Sequence, residues 1–207
     1  MKKISDSTIR RLSKYYRSLE YLIEQGVDTV SSDTLAEMDG ITSAQVRKDL
    51  SFFGTFGKRG FGYNTKALKK QIENILGLYR TWNVAIVGAG NIGRALTEYA
   101  EFKKQGFIIR LILDKDPKKI GQQVHGITVR DIKDLDELIK EEQIDIGIIA
   151  VPADSAQAVA DKLVAAGIKA ILNFAPRSIK VPPDVMVKNE NMAVEMEALT
   201  YYLSNRT

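Results

Sequence analysis

Apolar positions recur at helical spacing through the first eighty residues. Ile9, Leu12, Tyr16, Leu19 and Ile23 fall three and four residues apart and predict an amphipathic helix ending near Gly26. Ser31 to Gly40 reads as a short second helix with a serine cap and a closing glycine. Thr42-Ser-Ala-Gln45 reads as a capping box opening a third, whose apolar face is Val46, Leu50 and Phe53. Two short helices around a tight glycine-containing turn predict a helix-turn-helix, with the later helix as the one that enters a DNA groove. Gly54-Thr-Phe-Gly-Lys-Arg-Gly-Phe-Gly-Tyr63 interleaves glycines with aromatics and two cations, which predicts a tight β-hairpin with a basic tip, a wing. Thr65 to Leu78 is again helical, and the boundary with a second domain is placed at Arg80-Thr81.

Beyond that boundary the pattern changes to short, nearly continuous apolar runs separated by helices. Val84–Val87, Phe107–Leu113, Asp145–Val151 and Lys169–Phe174 read as strands, and Asp134–Gln143 and Ala156–Ala166 as helices. Runs of this kind suit a parallel sheet covered on both faces. The expected class is therefore α/β: a winged helix-turn-helix domain over 1–80, then a Rossmann-like doubly wound parallel sheet over 81–190. A last apolar stripe, Met192, Met196, Leu199 and Leu203, predicts a helix within 191–207 that covers its own domain or packs on a second subunit.

Between the first strand and its helix lies Gly88-Ala89-Gly90-Asn91-Ile92-Gly93, spaced G-x-G-x-x-G. In that setting Gly88 makes the tight turn, Gly90 admits a pyrophosphate and Gly93 lets helix meet strand. The helix N-terminus supplies free N–H groups and a favourable dipole for the phosphates. Asp114 ends the second strand twenty-one residues past the last glycine, where a carboxylate accepts ribose hydroxyls, and this favours NAD over NADP. Val151-Pro152 and Asn173-Phe174-Ala-Pro176 end later strands and are expected to line the nicotinamide half of the crevice. Lys115, Lys118 and Lys119 are read mainly as solvated.

Charge sharpens the division. Residues 1–80 carry fourteen Lys and Arg against nine Asp and Glu, whereas the remainder is nearly balanced. Between 40 and 72, seven cations face Asp49 alone. Ser43, Gln45, Arg47, Lys48 and Ser51 on the outer face of the third helix, with Lys58 and Arg59 at the wing tip, are the candidate DNA contacts. The chain has no cysteine, which excludes disulfides and thiolate metal sites. No secretory leader or membrane span is expected, so the expected location is the cytoplasm.

A nicotinamide enzyme needs a proton donor or acceptor beside the hydride position. The only histidine, His125, falls in a polar loop. Tyr99-Ala-Glu-Phe-Lys103 matches a dehydrogenase Y-x-x-x-K pair, but it lies on the phosphate-binding helix. Catalysis is not expected, and no metal site is identified. An NAD-dependent oxidoreductase, an NAD-gated protein-interaction module and a coenzyme A-binding domain remain as alternatives.

Gln45-Val-Arg-Lys-Asp-Leu-Ser-Phe-Phe-Gly54, Gly57-Lys-Arg-Gly-Phe-Gly-Tyr63, Val87-Gly-Ala-Gly-Asn-Ile-Gly93 and Asn173-Phe-Ala-Pro176 resemble the Rex family of redox-sensing transcriptional repressors of bacteria. The resemblance runs from about Ile9 to Leu203. It implies a homodimer whose C-terminal helix is swapped between subunits, binding of palindromic operator DNA, and release when NADH rises relative to NAD⁺. It further implies coupling residues at Arg11, Tyr99 (also placed at the cofactor site) and Asn191. The family normally has an aspartate at this last position, so an Arg–Asp ion pair cannot form there.

Overall fold

A computed structural model of the protein describes residues 4–57 and 60–205. The chain divides into two compact units, Met1–Arg80 and Thr81–Thr207.

The first unit contains α1 (Asp6–Glu24), β1 (Thr29–Val30), α2 (Ser32–Asp39), α3 (Ser43–Ser51), β2 (Tyr63–Asn64) and α4 (Thr65–Leu76). Side-chain oxygens of Ser5, Ser31, Thr42 and Asn64 each accept a first-turn N–H, so all four helices begin at a polar cap. Leu12, Tyr15, Leu19, Val46, Leu50, Leu68 and Ile72 form the core between them. The buried stripe of α1 differs from the expected one at three of five positions: Thr8, Tyr15 and Leu22 are buried in place of Ile9, Tyr16 and Ile23. Tyr15 is fully buried, whereas Tyr16 lies half-buried beneath the Lys69 ammonium, 4.8 Å from its ring centre. A tyrosine at either position satisfies the spacing, and the stripe Leu12, Tyr15, Leu19, Leu22 closes the core.

The wing also departs from expectation. Its strand, β2, pairs antiparallel with β1, Thr29 opposite Asn64 and Val30 opposite Tyr63. The described part of Gly54–Tyr63 holds no hairpin of its own, because the partner strand lies between α1 and α2. Lys58 and Arg59 fall outside the described residues.

The second unit contains β3 (Trp82–Val87), α5 (Asn91–Glu98), α6 (Ala100–Lys104), β4 (Phe107–Asp114), β5 (Gln123–Val124), β6 (Ile127–Asp131), α7 (Leu135–Glu141), β7 (Ile146–Ile149), α8 (Ala153–Ala165), β8 (Ala170–Asn173), β9 (Met186–Asn189) and α9 (Met192–Ser204). The sheet order is β5-β6-β4-β3-β7-β8-β9, parallel except for the β5 edge. From β3 the chain first winds outward to β6, then returns and winds the other way to β9. This reversal is the doubly wound arrangement, and it opens a crevice at the strand ends between β3 and β7. One sheet face is filled by α7 and α8 on Ala85, Val87, Leu113, Ile149 and Ile171. β5, β6 and β9 were not anticipated, because they are two to five residues long and carry polar positions. The helix after the glycine loop breaks at Tyr99, whose ψ of 98° is extended, giving α5 and α6 in place of one helix.

α9 buries none of its residues. Met192, Met196, Leu199, Tyr201, Tyr202 and Leu203 are each more than half exposed. Apart from Glu195, Glu197, Thr200 and Ser204 the helix is apolar, and an exposed apolar surface of this extent marks an interaction face.

Candidate functional site

The crevice in the second unit is a cavity of about 830 Å³. Val87, Gly88, Gly90, Asn91 and Ile92 form its floor; Asp114, Lys115 and Lys119 stand beyond β4, and Val151, Pro152, Phe174 and Pro176 beyond β7 and β8. The three glycines divide by cause. Gly88 has φ +110°, and a Cβ there would strike the Ala150 carbonyl. A Cβ at Gly93 would strike the Gly88 carbonyl oxygen. At Gly90 a Cβ would meet nothing within 4 Å. The fold itself therefore demands Gly88 and Gly93, whereas Gly90 keeps the cavity floor open. No side chain caps α5, so its first-turn N–H groups face the cavity as an anion site. These residues could hold a dinucleotide: N–H groups at the start of α5 suit phosphates, the Asp114 carboxylate suits ribose hydroxyls, and the Val151, Pro152 and Phe174 wall suits an uncharged ring.

Asp114 does more than expected. Its Oδ2 accepts Ala89 N at 2.8 Å and Lys119 Nζ at 2.9 Å, while Oδ1 accepts Asp116 N at 2.9 Å. Burial pushes the carboxyl up, but the Asp116 N–H, the Lys119 ammonium and the Ala89 N–H outweigh it and hold the group below its ordinary value. Asp114 thus pins the glycine loop to the end of β4, and an ionised carboxylate retains lone pairs for ribose hydroxyls. Lys119 and Lys115, read from sequence as solvated, both reach the cavity; Lys115 Nζ donates to Ser155 Oγ at 3.3 Å. Lys118 remains exposed.

Three expected cofactor residues lie outside the lining. Ala89 is buried with Ile112, Val124 and Val129, and its N–H is spent on Asp114. Gly93 serves helix packing. Tyr99 is 54% exposed and stacks edge-on against Phe102, with ring centres 5.2 Å apart. His125 lies 3.4 Å from Glu98 on an exposed loop, away from the cavity.

In the first unit, α3 shows Arg47, Lys48 and Ser51 to solvent. Arg47 Nη1 donates to Ser32 Oγ at 2.8 Å, and Ser51 Oγ donates to the Lys48 carbonyl at 2.7 Å. Ser43 is half-buried in the first turn. Gln45 corrects the capping-box expectation. Thr42 Oγ1 accepts the Gln45 N–H, but the Gln45 amide turns inward and donates to Asp49 Oδ1 at 2.8 Å.

Asp49 is the residue that composition alone passed over as a stray acid. It is fully buried. Arg11 reaches it with Nε at 2.5 Å and Nη2 at 2.8 Å, and Tyr15 OH donates to it at 2.8 Å. Burial pushes the Asp49 carboxyl up, but Arg11, Tyr15 and Gln45 together hold it below the usual carboxylate range. The Asp49 carboxylate in turn raises Arg11, while burial followed by the same acid raises Tyr15. One signal was available: Val46, Asp49, Leu50 and Phe53 share the i, i+3, i+4, i+7 face, which places Asp49 inside. Arg11 is thus engaged within its own unit. Asn191 caps α9, its Oδ1 accepting the Ala193 N–H at 3.0 Å.

Comparison with known proteins agrees with both halves. Residues 3–51 match the family described as "Putative DNA-binding protein N-terminus" and residues 79–177 the family "CoA binding domain". A "Redox-sensing transcriptional repressor Rex" from Desulfitobacterium hafniense is 50% identical over 204 residues, covering 99% of this chain and 97% of that protein. A solved structure titled as RSP in complex with beta-NAD+ and operator DNA superposes with a TM-score of 0.93 at 42% identity, over 98% of this chain and 94% of the other. The same protein in complex with beta-NADH gives 0.88 at 40% identity, over 98% and 95%. The likeness thus spans both units and the junction between their sequences, and the chain belongs to the Rex family of redox-sensing transcriptional repressors.

Proposed function

We propose that this protein is a homodimeric cytoplasmic repressor that holds palindromic operator DNA through α3 and the wing segment, and releases it when NADH fills the cavity. The carrying observation is that a relative matching 98% of the chain has been captured with beta-NAD+ plus operator DNA and, separately, with beta-NADH. The cavity and the cationic face of α3 are this chain's own counterparts.

NAD⁺ carries a positive ring that NADH lacks. Val151, Pro152, Phe174 and Pro176 form an apolar wall that offers little to replace the hydration of that charge. A ~100-fold preference for the neutral ring corresponds to about 2.7 kcal/mol, within reach of one poorly solvated charge. Linkage then requires NADH and operator to weaken each other by one common factor. Two recognition helices of a dimer must stand about 34–36 Å apart to meet successive major-groove turns, so a modest change in dimer geometry suffices for release. The exposed apolar α9 is the element exchanged with the second subunit.

The test is a gel shift on a palindromic promoter fragment with NADH or NAD⁺ added separately. Operator affinity should fall with NADH alone. Retention of the fragment under saturating NADH would refute the sensor reading.

A further inference from the structure

Asn173, at the end of β8, is fully buried. Its Oδ1 accepts Ala175 N at 3.1 Å, and its Nδ2 donates to the Arg177 carbonyl and to Asn189 Oδ1, both at 2.8 Å. Both amide protons are therefore used. The bonds to Ala175 and Arg177 shape the turn that sets Phe174 and Pro176 into the cavity wall. The bond to Asn189 reaches the last residue of β9, where Glu190 N also donates to the Asn173 carbonyl at 2.8 Å. One residue further, Asn191 caps α9.

We propose that Asn173 is the positioning residue that carries cavity occupancy to the root of α9, through its hydrogen bond to Asn189. A ligand that moves the 174–177 turn must carry the Asn173 amide with it. That amide cannot release either partner inside the protein without leaving a buried polar group unsatisfied, so the end of β9 follows. The inference rests on reading the cavity as the NADH site and α9 as the exchanged helix.

Asn189 is exposed and lies outside the cavity lining, so Asn189→Ala removes one acceptor without touching either binding surface. Hydrogen exchange over residues 190–204 and operator affinity are measured on the full chain with and without NADH. The variant should bind NADH, and operator in its absence, within about threefold of the parent. Its NADH-induced loss of operator affinity should shrink at least about fivefold, the scale of one hydrogen bond. The exchange response of 190–204 should shrink with it. Asn189→Asp, which keeps an acceptor, should restore both. An Asn189→Ala protein with the parent's full exchange response overturns the proposal, as does a parent whose 190–204 segment ignores NADH. A parent whose segment responds while its operator affinity does not would instead sink the repressor reading and leave this coupling standing.

Discussion

Replacing Arg11 with Met should destabilise the first unit selectively. The change leaves Asp49 fully buried with Tyr15, Gln45 and Thr8 as donors but without its cation. Removing one partner of a buried ion pair costs about 3–5 kcal/mol, because the other charge is stranded. The Arg11 side chain is 21% exposed, and three neutral donors (Tyr15, Gln45 and, at 3.5 Å, Thr8) remain on Asp49, so a cost of about 2–3 kcal/mol is expected. For a domain of this size, 1 kcal/mol moves Tm by roughly 4–8 °C, which puts the shift at roughly 8–24 °C. The sole tryptophan, Trp82, begins β3 in the second unit. Circular dichroism should therefore reveal an early transition that tryptophan fluorescence does not follow. In an Asp49→Asn background the same Arg11 substitution should cost under ~1 kcal/mol, since no buried charge remains to strand. The pH dependence has a definite sign. Asp49 is held below its unfolded value of about 3.9, so its contribution is complete above that value and disappears as pH falls through the folded one. The gap between parent and Arg11→Met should be flat from pH 5 to 8 and close below about pH 4. An Arg11→Met protein that melts with the parent, or strictly additive losses in the double variant, would refute the idea that Arg11 holds a buried Asp49 charge.

Other outcomes follow from the same geometry. Gly90→Val should abolish NADH binding by calorimetry while leaving Tm and operator affinity intact, giving a repressor deaf to NADH; Gly93→Ala, which meets the Gly88 carbonyl, should instead cost about 3 kcal/mol of stability. Lys48→Ala should weaken operator binding with an unchanged NADH isotherm, and should reduce the slope of log affinity against log salt by about one, as read by anisotropy. Leu199→Glu, on a helix with no covered face, should convert the dimer to monomer in sedimentation, and a dimer of unchanged strength would remove α9 from the interface.

Much of this protein was legible in its sequence, because local chemistry decides locally. Serine, threonine and asparagine caps fix where α1 to α4 start, and the strand–glycine–helix order of β3 and α5 places the cradle before any tertiary contact is known. Which glycines serve the fold and which serves a ligand is a different matter. Gly88, Gly90 and Gly93 are identical letters, and only the atoms beside each missing Cβ separate them.

Long-range pairing decided the rest. β2 finds its partner thirty-odd residues upstream in β1, so no reading of 54–63 by itself finds the strand. Spacing puts Asp49 on the inner face of α3, but only the fold brings Arg11 and Tyr15 from α1 to satisfy it there, and Gln45 then turns toward the same carboxylate. Asn173 looks like a strand-ending polar residue until β9 comes alongside. Periodicity and caps act over one or two turns, and a sequence states them directly. Buried polar groups are satisfied by whatever the folded chain brings near, and that neighbour is set by topology rather than by spacing.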